Sequence, residues 1–153
     1  MFNPNIVNNI VICMLILCLN AGVITHSSQL PQQVNESDLN LLSACMQLEN
    51  GSNGDRCLLL TGSVVLNRAY YCSWCPNTIE GVLYQKGQYA SHTVKNLKTV
   101  VVPERTRILA KFLLIYGPIC PSNVVFQSQQ KNLGSGHYDV IDTPDGPEYF
   151  AYE

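Results

Sequence analysis

Glu49 is an acid at a position where an acid is costly. Ser37 or Asp38 can cap a helix through a side-chain oxygen, and Asn50 with Gly51 ends it, so the pattern predicts a helix over 39–49. On that helix Leu39, Leu42, Cys45 and Met46 share one face, and Asn40, Ser43 and Gln47 share the other. Glu49 follows Met46 by three residues, Cys45 by four and Leu42 by seven, which puts it in the middle of the apolar face. Apolar surroundings and the negative end of the helix dipole both disfavour an ionised carboxylate. A carboxyl group that keeps its proton near neutral pH is what a general acid needs to protonate a leaving glycosidic oxygen. The loop NGSNG over 50–54 leaves room for a ligand to approach. The plainer alternative is a carboxylate that turns into water at a frayed helix end.

Other reactive residues carry weaker signals. Cys72 and Cys75 have a C-x-x-C spacing that can lower a thiol pKa at a helix start, but no strand leads into the pair as a thioredoxin-like redox site requires. With His92 or His137 the pair could bind zinc, yet no second closely spaced ligand pair exists, and neither metal nor cofactor is expected. Of seven cysteines, Cys13 and Cys18 lie in an apolar N-terminal stretch, leaving Cys45, Cys57, Cys72, Cys75 and Cys120. An odd number permits one or two disulfides with at least one free thiol; buried reduced cysteines fit equally well.

The elements that must position these groups follow from periodicity and punctuation. A second helix over 55–69 has apolar residues all round, as a central buried helix should, with Gly62 and Ser63 permitting close approach. Pro76 and Asn77 introduce a short helix over 78–85, followed by a polar loop over 88–92; another helix spans 103–116 and stops at Gly117-Pro118. Segments 123–126, 137–141 and 149–152 are rich in β-branched and aromatic residues between glycine-containing turns, which predicts a small antiparallel sheet. Helices first and strands last make the expected class α+β, mainly helical with a minor sheet near the C-terminus.

Four ordered blocks then carry a resemblance: Glu49, SVVLNRA (Ser63–Ala69), CPNTIEGVLYQ (Cys75–Gln85) and KGQYAS (Lys86–Ser91). Together they resemble the SleB-type cell wall hydrolase family, the spore-cortex-lytic enzymes and their relatives. The resemblance covers roughly 41–91 and implies a lysozyme-like fold. It also implies cleavage of peptidoglycan between N-acetylmuramic acid and N-acetylglucosamine, commonly as a lytic transglycosylase, with Glu49 as the single catalytic acid and base. Substrate contacts are implied for Gln88, Tyr89, Ser91 and Asn53. Two departures stand out: many relatives have an acid where this chain has Asn53, and a Gly-Gln-Phe-Ser loop reads Gly87, Gln88, Tyr89, Ala90, Ser91 here. From their chemistry, Gln88 and Tyr89 can bind a glycan by amide bonding and ring stacking, or can merely turn the chain. Asn67 and Arg68 read as structural, ending the second helix and bonding neighbouring loops. A non-catalytic wall-associated or phage structural module that keeps the fold is the alternative to an enzyme.

Bulk properties fit this frame. The chain has 153 residues, 46% hydrophobic and 13% charged, with a net charge of −2, enough for one globular domain. Nine scattered Lys and Arg residues form no basic stripe, so nucleic acid is not an expected partner, and recognition of an anionic wall must rest on a shaped groove. Ile10 to Leu19 (IVICMLILCL) is an uninterrupted apolar stretch of signal-peptide length with no basic residue before it. Residues 1–24 thus read as a signal peptide or membrane anchor, 25–36 as a polar linker and 37–153 as the catalytic domain. The protein is expected to be secreted or anchored on the outer face, at the cell wall, touching membrane only through its N-terminal segment.

Overall fold

The structure, a computed structural model, describes residues 34–153. The signal peptide or anchor over 1–24, and the linker apart from its last three residues, lie outside the described residues. The described part is α+β: five helices followed by a three-stranded antiparallel sheet.

Helix α1 spans Glu36–Asn50. It begins three residues before the expected start, because Asn35 rather than Ser37 or Asp38 is the cap: its side chain accepts from the amides of Ser37 at 2.8 Å and Asp38 at 3.4 Å. Helix α1 is also less two-faced than its sequence suggests. Ser43, expected on the polar face, is fully buried, its hydroxyl satisfied by donating to the Leu39 carbonyl at 2.6 Å. Helix α2 spans Asp55–Tyr70, helix α3 Ile79–Tyr84 and helix α5 Glu104–Tyr116, close to expectation. Thr78 caps α3 by accepting from the Gly81 amide at 3.0 Å. Helix α4, Ser91–Asn96, overlaps the end of the expected polar loop; it is a single short piece held by its neighbours through buried Thr93 and, just beyond its end, buried Leu97.

Strand β1 (Val124–Ser128), strand β2 (His137–Thr143) and strand β3 (Gly146–Tyr152) are arranged with β3 in the centre. Strand β3 begins three residues earlier than the expected segment, which brings Glu148 into the sheet opposite Ile141.

Helix α2 is central, as its all-round apolar sequence predicts. Leu58, Val65, Leu66 and Ala69 join a core with Leu42, Cys45 and Met46 of α1, Val82 and Leu83 of α3, and Ala110 and Leu113 of α5. Another side of α2, with Cys57, Leu60 and Val64, packs against Val124 and Phe150 of the sheet. Gly62 faces both α1 and α5: an added Cβ would meet the Leu113 side chain and come within 2.8 Å of the Met46 sulfur. Asn67, completely buried, joins α2 to the sheet by donating to the carbonyls of Pro121 at 2.8 Å and Val124 at 2.9 Å. Helices and sheet therefore hold a fixed relation through one helix.

Candidate functional site

Glu49 lies in the last turn of α1, where the chain turns through 51–54 into α2. The residue is half-buried, and its Oε1 is buried without a hydrogen-bond partner. The charge of Glu49 is felt by Cys45 one turn earlier, by Tyr89 on the loop before α4, and by Glu148 on β3.

Tyr89 is half-buried with its ring packed on the helical core, and its hydroxyl hydrogen-bonds with the Cys45 thiol. Burial, assisted by the neighbouring negative groups, raises the Tyr89 phenol well above its usual range; Arg68 opposes the shift. Cys45, fully buried, is likewise raised well above the thiol range, first by burial and then by the charge of Glu49. Both groups are neutral at physiological pH and present O–H and S–H dipoles, not charges, beside Glu49.

Arg68 holds the loop that carries Tyr89. Only 4% exposed, it donates through Nη2 to the side-chain carbonyls of Gln88 and, at 3.3 Å, Gln85. Its guanidinium sits 5.7 Å from the Trp74 ring and 6.0 Å from the Tyr89 ring. Burial lowers its pKa, and the Tyr89 hydroxyl is the main group opposing that shift. The expectation that Asn67 and Arg68 bond neighbouring segments agrees with these contacts.

The implied substrate residues separate. Tyr89 is beside Glu49, and Gln88 is adjacent with its carbonyl committed to Arg68. Asn53 follows Glu49 in the α1–α2 loop, where its amide donates to Asn50 at 2.6 Å and its Oδ1 is buried without a partner. Asn50 in turn donates to Thr61 at 2.9 Å, which anchors this loop to α2. Ser91 is exposed at the start of α4 and makes no side-chain hydrogen bond among the described residues. It is not drawn into the cluster.

Sequence reasoning missed Glu148. Its carboxyl is raised above the usual range, first by burial, with the charge of Glu49 adding to the shift and a bond from Gln127 opposing it. Strand alternation is the signal that could have found it: Glu148 and Phe150 share a face of β3, and Phe150 is core.

Cys72 and Cys75 are joined in a disulfide, with Cα atoms 5.4 Å apart, while Cys45, Cys57 and Cys120 are free and buried. The pair precedes α3 by several residues, so neither sulfur caps a helix. The loop it closes presents Trp74, which stacks on Phe126 with centroids 6.1 Å apart and donates to the Glu153 carboxylate. Among the described residues no group of His, Cys, Asp and Glu is arranged to hold a metal, and no helix is long and apolar enough to cross a membrane.

The best-formed depressions lie elsewhere. One, of about 500 Å³, is lined by residues including Asn40, Ala44, Glu80, Lys98 and Arg107; another, of about 390 Å³, by residues including Asp38, Tyr70 and Asn77. Both lie on surfaces of α1 away from Glu49, and the first places apolar walls beside charged rims. Neither depression includes Glu49, whose buried, unpartnered carboxyl oxygen is left needing a hydrogen-bond donor. Comparison of the chain with family profiles, curated proteins and solved structures found no match.

Proposed function

We propose that the protein cleaves the glycan strand of peptidoglycan between N-acetylmuramic acid and N-acetylglucosamine, with Glu49 giving its proton to the leaving oxygen. The observation that carries the proposal is the unpartnered, buried Oε1 of Glu49, in a carboxyl group flanked by neutral Cys45 and Tyr89. Among the described residues no cationic nitrogen pairs with Glu49, so nothing fixes the group as a structural carboxylate. The order of the elements supports a lysozyme-like reading of the α+β fold: an acid ending a helix, a buried helix behind it and a small sheet following.

In this account Glu49 protonates the glycosidic oxygen as the bond to the muramyl carbon breaks. The muramyl 6-hydroxyl then attacks that carbon, and Glu49 takes back the proton this hydroxyl releases. One carboxyl group serves as acid and base, the product is a 1,6-anhydro sugar, and no activated water is required. Tyr89 and Gln88 edge the site and offer a ring face and an amide to a sugar. The same reading makes the chain an exported protein acting at the cell wall, with residues 1–24 its only membrane contact.

The second reading, a non-catalytic wall-associated or phage structural module, is favoured by one observation: the two depressions described above lie away from Glu49. Substitution Glu49→Gln separates the two. Release of soluble muropeptides by the wild type, abolished in the variant while far-UV circular dichroism and unfolding midpoint are unchanged, supports catalysis. Absence of release by either protein favours the module.

A further inference from the structure

Helix α5 is apolar on two faces and buries one of them. Ala110 and Leu113 enter the helical core, with Leu109 and Leu114 packed beside them. On the outer side Ile108, Phe112, Ile115 and Tyr116 recur at helical spacing and so line one stripe. They are 57%, 42%, 39% and 74% exposed. The Phe112 and Tyr116 rings brace each other within the stripe, their centroids 4.9 Å apart. A helix that is apolar all round is ordinarily covered all round, and a contiguous exposed stripe marks a contact surface. For side chains of this size at these exposures, the stripe offers on the order of 500 Å² of apolar area.

Glu104 and Lys111 lie two helical turns apart along one edge of the stripe. Among the described residues neither has a salt-bridge partner within 4.0 Å. A second copy of α5, laid antiparallel about a twofold axis beside Ile108, sets Glu104 of each copy against Lys111 of the other. Other occupants fit less well. Arg105 and Arg107 are already bonded to Asp55 and Glu36, so α5 has one free acid and one free base and no cationic excess to offer anionic lipid. Residues 25–33 contain only Leu30 and Pro31 as apolar residues, too few to cover the stripe.

We propose that α5 is the interface of a twofold dimer, in which a second copy covers the apolar stripe and two Glu104–Lys111 pairs fix the register. Two such stripes in contact bury on the order of 1,000 Å², the lower end for a specific interface, so the dimer is reversible with Kd in about the micromolar range. The inference stands apart from the reading of Glu49, and its failure leaves the muropeptide assay untouched.

The test follows the full-length protein by analytical ultracentrifugation over a concentration series. Wild type is compared with Phe112→Ser, Glu104→Lys, Lys111→Glu and the protein carrying both charge reversals, each checked for native circular dichroism. The proposal expects a monomer–dimer equilibrium that Phe112→Ser abolishes, that either reversal alone weakens about tenfold, and that the two reversals together restore. Ile108→Cys, beside the axis, should form an intermolecular disulfide under mild oxidation. A wild type that stays monomeric at every concentration overturns the proposal. So does self-association that Phe112→Ser leaves intact, which would place the contact on another surface such as the apolar stretch at 10–19. A monomer that binds vesicles of phosphatidylcholine and phosphatidylglycerol, and loses that binding in Phe112→Ser, gives the stripe to a membrane instead. Double reversal no tighter than either single one overturns the pairing. Should Phe112→Ser fail to fold, the exposed charge reversals and their mutual rescue still decide.

Discussion

Replacing Asn67 by alanine probes the joint between α2 and the sheet. Its Nδ2 carries two protons and has three acceptors around it: the Pro121 carbonyl at 2.8 Å, the Val124 carbonyl at 2.9 Å and the Cys120 sulfur at 3.4 Å. The two carbonyls take the two protons, and the sulfur is a weaker third acceptor. Alanine leaves the Val124 carbonyl orphaned, at about 1–3 kcal/mol, whereas the Pro121 carbonyl keeps the bond from the Val124 amide at 3.0 Å and loses only its second donor, at about 1 kcal/mol. The Pro121 carbonyl is only partly buried and recovers some of that from water. In the other direction, Asn67 Oδ1 is itself buried without a partner, and removing it returns about 1 kcal/mol. The balance is a loss of about 1–3 kcal/mol, which for a domain of this size lowers Tm by roughly 5–10 °C. Asn67→Asp is worse, because a carboxylate then faces two carbonyl oxygens. Thermal and urea unfolding followed by circular dichroism measure both. A loss below about 1 kcal/mol for Asn67→Ala, or Asp tolerated as well as Ala, refutes the reasoning.

Other consequences follow from packing and titration. Gly62→Ala drives a methyl group against Leu113 and Met46 and is expected to cost about 1–3 kcal/mol in urea unfolding, against near-neutrality if the helices can separate. Burial pushes the Cys57 thiol up to about 11, so at pH 8 only about one molecule in a thousand carries the thiolate. Mass spectrometry should find Cys57 unmodified by iodoacetamide in the native protein and alkylated on unfolding. Glu148 is raised above its ordinary value of 4.5 in the folded state, so the native protein holds this proton more tightly than the unfolded chain. Its contribution is then fully present below the unfolded pKa and is lost as pH rises through the folded one. Over that window wild type should lose stability relative to Glu148→Gln, as unfolding midpoints taken from pH 4 upward would reveal. Reducing Cys72–Cys75 with a dithiol opens a four-residue loop, at about 2 kcal/mol, and should change the fluorescence of Trp74.

The helical layout was legible because its signals are local. Apolar residues all round α2 could only mean a central helix, and Pro103 with Gly117 bracket α5. Local signals misled where a side chain outside the window took over: Asn35 started α1 early, and α4, too short to show a period, is held by Thr93 and Leu97 inside the core. For the site, the place of Glu49 on an apolar face was readable, because Cys45 and Met46 lie within one turn of it. Glu148 was not. It sits beside Pro147 at a strand start, and its burial is set by β3 lying between β1 and β2 and by α2 packing on that sheet, neither of which leaves a trace near residue 148. The disulfide joins the two closest of the five candidate cysteines, but spacing alone left the pairing open.

The most direct test of the account is mass spectrometry of purified peptidoglycan after digestion by the full-length protein. The account predicts disaccharide muropeptides ending in 1,6-anhydro-muramic acid, each about 18 Da lighter than its hydrolysed counterpart, and none from the Glu49→Gln protein. Muropeptides released equally by wild type and Glu49→Gln would contradict it.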